Sequence, residues 1–182
     1  MPGEKRLIVA LFCVSLCSAT LVPDGFATLV LPADFSEMVA ASQTIVHGRV
    51  SDVSSRMLAG RRSIESVVTL EVLTAFKGGD RASVVFRVPN GRVGRYRRIT
   101  VGAPELAAGD EVILFLEGRA PAVPMPFGLT QGVYRVARTA DGRAVVTPLV
   151  AADPGRIVRG DPARRPLQIE AFASHVRAMV GR

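Results

Sequence analysis

Five consecutive apolar residues, Val112-Ile113-Leu114-Phe115-Leu116, stand between Glu111 and Glu117, and Gly109-Asp110 sets a turn just before them. No other segment outside the N-terminus is so densely apolar. Successive side chains of a strand point to opposite faces, so an unbroken apolar run behind a turn predicts a strand buried on both. The neighbouring segments alternate instead, which makes residues 101–117 the expected middle of the fold. That constrains architecture and carries no chemistry.

Alternation is clearest just upstream. Ile64, Ser66, Val68, Leu70, Val72 and Phe76 form one row, and Glu65, Thr69, Glu71 and Lys77 the other. A period of two over about a dozen residues spans roughly 40 Å if flat, so this strand is expected to coil round a barrel, its glutamates solvated. Before it, Thr44–Val53 reads as a strand with Val46, Gly48 and Val50 on one side, and a glycine there predicts a bulge or a close backbone approach. A polar loop is expected over 54–63. After it come a strand Ala82–Val88, a Pro89-Asn90-Gly91 turn, the basic segment 92–98, and strand again over Ile99–Val101. Beyond the central run, a Pro- and Gly-bearing loop covers 118–131, and Val133–Arg138 with Ala144–Leu149 reads as a hairpin across Asp141-Gly142.

Two helices frame the strands. In the first, over 32–41, Asp34 and Glu37 have capping-box spacing. In the second, over 166–180, Pro166 suits the first turn and Ile169, Phe172, Val176 and Met179/Val180 make one stripe. Residues 151–165 read as an Arg/Pro/Asp linker. No helical pattern separates the strands, which excludes parallel βαβ units and argues an antiparallel barrel or sandwich.

The first 27 residues have the composition of a secretory signal peptide. Lys5-Arg6 precede the apolar run Leu7–Leu16, Pro23 breaks it, and small residues follow. Cleavage is expected after Ala27, with Ala19 as the alternative. The apolar run, interrupted by Ser15, Ser18 and Thr20, falls short of the roughly 20 residues of a membrane span. Cys13 and Cys17 are the only cysteines in the 182 residues. Once such a leader is removed, no disulfide, thiolate metal site or cysteine nucleophile is left. The alternative, a lipid on Cys17, is disfavoured by Leu16, which stands where a small residue is expected.

The formal charge of +7 permits anionic partners, nucleic acid, glycan or membrane surface. Most cations are arginines spread over loops. One cluster is compact: Arg92, Arg95, Arg97 and Arg98 around Tyr96. It is the candidate site for an anionic partner, set against the plainer reading of a solvated basic hairpin. Met125 and Phe127, in the loop 118–131, are candidate protein contacts, set against a loop folded onto its own domain. Catalytic, cofactor and metal sites are expected to be absent. His47 and His175 are the only histidines and lack ligand spacing. No Gly-x-Ser-x-Gly elbow, phosphate-cradling loop or dinucleotide fingerprint occurs.

The succession Ile45–Val50, Val68–Val72, Phe76-Lys77-Gly78, Val88–Gly91, Gly102-Ala103-Pro104, Gly109–Val112 and Leu114–Leu116 resembles a group of uncharacterised secreted bacterial proteins over roughly residues 28–137. It is similar, more loosely, to the OB-like barrel of tissue inhibitors of metalloproteinases and netrin-like domains. The resemblance implies an OB-like barrel, so the expected fold is mainly β: a small antiparallel OB-like β-barrel of about six or seven strands, framed by the short N-terminal helix and the C-terminal helix read from the residues. That family inhibits zinc proteases through a Cys at its mature N-terminus in a Cys-x-Cys motif, and no residue of the processed chain matches it, so only the barrel carries over.

The expected organisation is a signal peptide over 1–27, the barrel over 28–150, the linker over 151–165 and the helix over 166–182. The expected function is that of an exported, periplasmic or extracellular, non-catalytic binding protein. Its partner would be a secreted or envelope protein or an anionic envelope polymer. Nucleic acid is disfavoured by export, and membrane contact would come only from an uncleaved leader or a lipid on Cys17. The alternatives are a protease-partner or inhibitor-like module and an enzyme of unrecognised type.

Overall fold

The computed structural model describes residues 33–58, 63–149 and 165–181; the leader, both cysteines and nearly all of the linker lie outside them. The described chain opens with helix α1 (Phe35–Ala41), followed by the long strands β1 (Thr44–Leu58) and β2 (Ser63–Lys77). Then come β3 (Ser83–Val88), the short pair β4 (Gly91–Val93) and β5 (Tyr96–Arg98), and the central β6 (Glu111–Glu117). The chain continues through β7 (Met125–Pro126), β8 (Val133–Arg138), β9 (Ala144–Pro148) and β10 (Leu167–Gln168) into helix α2 (Ile169–Val180).

The fold is mainly β and antiparallel. Eight strands form one sheet in the order β10-β9-β8-β6-β1-β2-β3, with β7 paired to β6 off this path, while β4 and β5 form a separate ribbon. No ladder joins β3 to β10 among the described residues, so the sheet is open. β6 stands in the middle, and its five apolar side chains are all fully buried. Ile113 and Phe115 face one core, and Val112, Leu114 and Leu116 face the other.

The two cores have different walls. The first face of the sheet is covered by both helices. Phe35 and Met38 of α1 and Phe172 and Val176 of α2 pack there on Ile45, Phe115, Tyr134 and Val146. Four rings meet, with centroids 4.8 Å apart for Tyr134 and Phe172, 5.5 Å for Phe35 and Phe115, and 5.6 Å for Phe35 and Phe172. In a chain without Trp, this cluster holds the ring-on-ring contacts between Phe and Tyr found among the described residues. The second core is built from the sheet itself: Val46, Val50, Val68, Leu70, Val84 and Phe86 gather with Leu114 and Val133. For β2 and β3 to reach β6 and β8 in this way, the sheet must curl.

The curl comes from bulges. β1 and β2 pair in register except where Phe76, Leu73 and Ser51 each add one residue opposite the partner strand. A bulge bends its strand and increases its twist. Gly48 lies at one of these shifts, where a Cβ would stand 2.2 Å from the Glu71 carbonyl oxygen. Each bulge also resets the alternation. Val72 stays with the second core, but Phe76, which alternation alone places in the same row, packs against the first.

Several other expectations are corrected. The polar loop over 54–63 is shorter, because β1 continues to Leu58, its outer residues paired with the start of β2. Ile99–Val101 is not strand; it is exposed chain leaving β5. Asp34 takes the N-cap position of α1 without a side-chain capping hydrogen bond, so the capping box is not formed. β7 and β10, two residues each, were too short to show a pattern. The hairpin across Asp141-Gly142 is present, and the Asp141 carboxyl is held below its usual range by the Thr139 hydroxyl and then by Arg143.

Candidate functional site

The ribbon β4–β5 folds over the ends of β1 and β2, and a chain of polar contacts fixes it there. The Ser55 and Ser66 hydroxyls are 3.1 Å apart. Ser66 Oγ donates to the Asn90 carbonyl oxygen at 2.8 Å, and the Arg92 amide donates to Ser55 Oγ at 3.2 Å. Asn90 Nδ2 donates to the Pro104 carbonyl oxygen at 2.8 Å, and Thr100 Oγ1 to that of Pro89. Serine and asparagine at these positions give the loop backbone partners it would otherwise lack. The ribbon and the segment 99–107 are thereby tied to the mouth of the second core.

Between them lies a groove of about 800 Å³. Its lining includes Val53, Val68, Val88 and Leu106 on the apolar side and Arg92, Arg97, Arg98 and Arg135 on the basic side, with Glu105 and Asp110 as the acidic members. Arg92 and Arg97 are direct cross-strand partners in the ribbon. Like charges directly opposite one another repel, so this pairing costs stability unless an anion relieves it. Arg97 is relieved by Glu105 at 3.2 Å and Arg135 by Asp110 at 3.6 Å. Arg92 and Arg98 have no carboxylate within ion-pair distance among the described residues, and Arg98 Nη1 donates to Ser63 Oγ. Exposed guanidiniums of this kind interact weakly one at a time, and a partner that engages several together gains more.

The sequence cluster is thus divided. Arg92, Arg97 and Arg98 line the groove, whereas Arg95 and Tyr96 sit at the exposed tip of the ribbon. There Arg95 donates to Tyr96 Oη at 3.0 Å and lies 5.2 Å over its ring. Arg135, Glu105 and Asp110 are not part of the sequence cluster and join the site only through the β6–β8 pairing, the 99–107 loop and the turn before β6. Ile99 and Val101 are 70% and 93% exposed along the same groove. Met125 and Phe127 lie elsewhere, both half-buried: Met125 pairs with Glu117 in the sheet, and Phe127 packs against the first core.

Two further charged clusters merit comparison. Glu65 is not solvated, being only 4% exposed. Arg56 donates to its Oε1 through Nε at 2.9 Å and Nη2 at 2.7 Å, and Arg87 lies 3.6 Å from Oε2. The two half-exposed guanidiniums supply the charge that a buried carboxylate requires, so this is a clamp across β1, β2 and β3. His47 Nε2 lies 2.9 Å from Glu111, which also meets Arg49 at 3.5 Å. His47 does not line the groove. Among the described residues no three His, Cys, Asp or Glu side chains gather as a metal site would require, and no helix is long and apolar enough to cross a membrane.

No protein-family model matches the chain, and neither a curated protein nor a solved structure is significantly similar to it.

Proposed function

We propose that this is an exported, non-catalytic binding module that docks an anionic partner of the cell envelope in the groove beside the β4–β5 ribbon. The observation that carries the reading is the gathering of four guanidiniums in one groove, two of them without a carboxylate among the described residues. Export is supported by the composition of the first 27 residues. The scaffold reading is an OB-like barrel, as the resemblance to netrin-like domains implies. It is supported by the bulged curl of β1 and β2 and by the Arg87 amide, which donates to the Pro124 carbonyl oxygen at 3.0 Å and links β3 to the segment entering β7. The groove lies at the mouth of that curl, and the basic face of such a barrel is a natural seat for an anionic chain.

Labelled poly-L-glutamate titrated with the full chain tests the groove. Arg92→Glu with Arg98→Glu is expected to weaken binding about tenfold at physiological salt. Arg119→Glu with Arg138→Glu changes net charge equally at exposed sites outside the groove and is expected to weaken it less than threefold. Equal losses from the two pairs would reduce the effect to net charge and remove the groove from the proposal. For export, mass spectrometry of protein recovered outside the cytoplasm is expected to show a chain starting after Ala27 or Ala19. An intact Met1 in cytoplasmic material alone would end that part of the proposal.

A further inference from the structure

The geometry points to a narrower ligand class: we infer that the groove selects an acidic polypeptide segment carrying apolar side chains over a uniformly charged polyanion. This rests on the anion-binding reading of the same groove and adds who the partner is.

Three features of the groove set the preference. First, its attraction is concentrated at Arg92 and Arg98, since Arg97 and Arg135 already face Glu105 and Asp110. Second, those two carboxylates remain in the groove, where they repel a polymer that carries an anion at every repeat. A polypeptide can place its carboxylates against Arg92 and Arg98 and put neutral residues against Glu105 and Asp110. Third, the groove is edged with apolar surface. Ile99 and Val101 flank Thr100 and both line the groove, Val101 opening the turn that the Ala103 amide closes on the Thr100 carbonyl oxygen. The Thr100 side chain between them turns back to the Pro89 carbonyl oxygen. An aliphatic pair this exposed gains from covering by apolar side chains, which a phosphate or uronate polymer lacks. Below the edge, Val53 and Leu106 continue the apolar surface toward the second core.

The test uses the full chain and three labelled polymers of matched length: a glutamate–tyrosine copolymer, poly-L-glutamate and polygalacturonate. The copolymer is expected to bind about fivefold tighter than poly-L-glutamate, with polygalacturonate no tighter than poly-L-glutamate. Ile99→Ser with Val101→Ser, both at exposed positions, is expected to abolish the copolymer's advantage over poly-L-glutamate. If the three polymers bind equally, or the serine pair leaves the copolymer's advantage intact, the polypeptide inference is overturned while the groove reading stands. If Arg92→Glu with Arg98→Glu weakens none of them, or none binds, the groove reading itself falls.

Discussion

Phe115→Ala is expected to cost about 3–5 kcal/mol of folding stability, the range for removing a large aromatic side chain from a core that cannot collapse. Phe115 is fully buried at the middle of β6. Its ring faces Phe35 at 5.5 Å, Tyr134 at 5.7 Å and Phe172 at 6.4 Å. The walls of the vacated space would be α1, α2 and β8, each held by other contacts, so the space would stay partly open. The backbone at this residue is equally committed: its amide donates to the Gly132 carbonyl oxygen, and its own carbonyl accepts from Phe127, both at 2.8 Å. Marginal folding stability is about 5–15 kcal/mol, so the loss takes roughly a third to a half of a mid-range total of about 10 kcal/mol. Urea unfolding followed by circular dichroism measures it. A loss under about 1.5 kcal/mol would mean that the ring cluster is not what joins the helices to the sheet. The groove draws on the opposite core, so the fraction still folded is expected to bind poly-L-glutamate as the unchanged chain does.

The same strand shows what was legible in the sequence. An unbroken apolar run has one physical reading in an antiparallel sheet, burial on both faces, and β6 has it. Turn chemistry was equally direct: Gly78-Gly79 and Asp141-Gly142 each separate paired strands, and Asn90-Gly91 marks where the chain leaves the sheet for the ribbon. Long-range events were not legible. Leu73 and Phe76 look like ordinary members of an alternating row, and only pairing against β1 shows that each is an extra residue. Glu65 looks like a solvated charge until Arg56 and Arg87, from two other strands, close over it. Ile99 and Val101 have strand-like β-branched side chains, yet they have no partner strand among the described residues. Propensity describes what fits a sheet, and the available neighbours decide what joins one. The candidate site divides in the same way. Its arginines were visible as a local cluster, while Arg135 and Asp110 enter through the register of β8 and the turn before β6.

Gly91→Ala is expected to damage stability and binding together without altering a single charge. Gly91 begins the ribbon at φ +151°, a backbone conformation that costs a residue with a side chain about 1–3 kcal/mol. An added Cβ would also stand 2.6 Å from Ser55 Oγ, 2.8 Å from Ser66 Oγ and 3.1 Å from Ile64 Cγ2. Those two hydroxyls are the ones that hold the Asn90 carbonyl and the Arg92 amide, so the methyl group would displace the pegs that fix the ribbon. Strain and displacement together are expected to cost about 2–4 kcal/mol, read from thermal or urea unfolding. With the ribbon shifted, Arg92, Arg97 and Arg98 no longer face Arg135 across one groove, and poly-L-glutamate affinity is expected to fall about tenfold. Gly94→Ala supplies the contrast. Gly94, at the ribbon's tip, has φ +56°, and nothing lies within 4 Å of an added Cβ. There the substitution is expected to cost about 1 kcal/mol from conformation alone and to leave binding unchanged. If the two alanine variants behaved alike, binding would depend on the ribbon's presence and not on where Ser55 and Ser66 hold it. If Gly91→Ala bound at full strength in a folded chain, the arginines would be acting as independent surface charges with no groove between them.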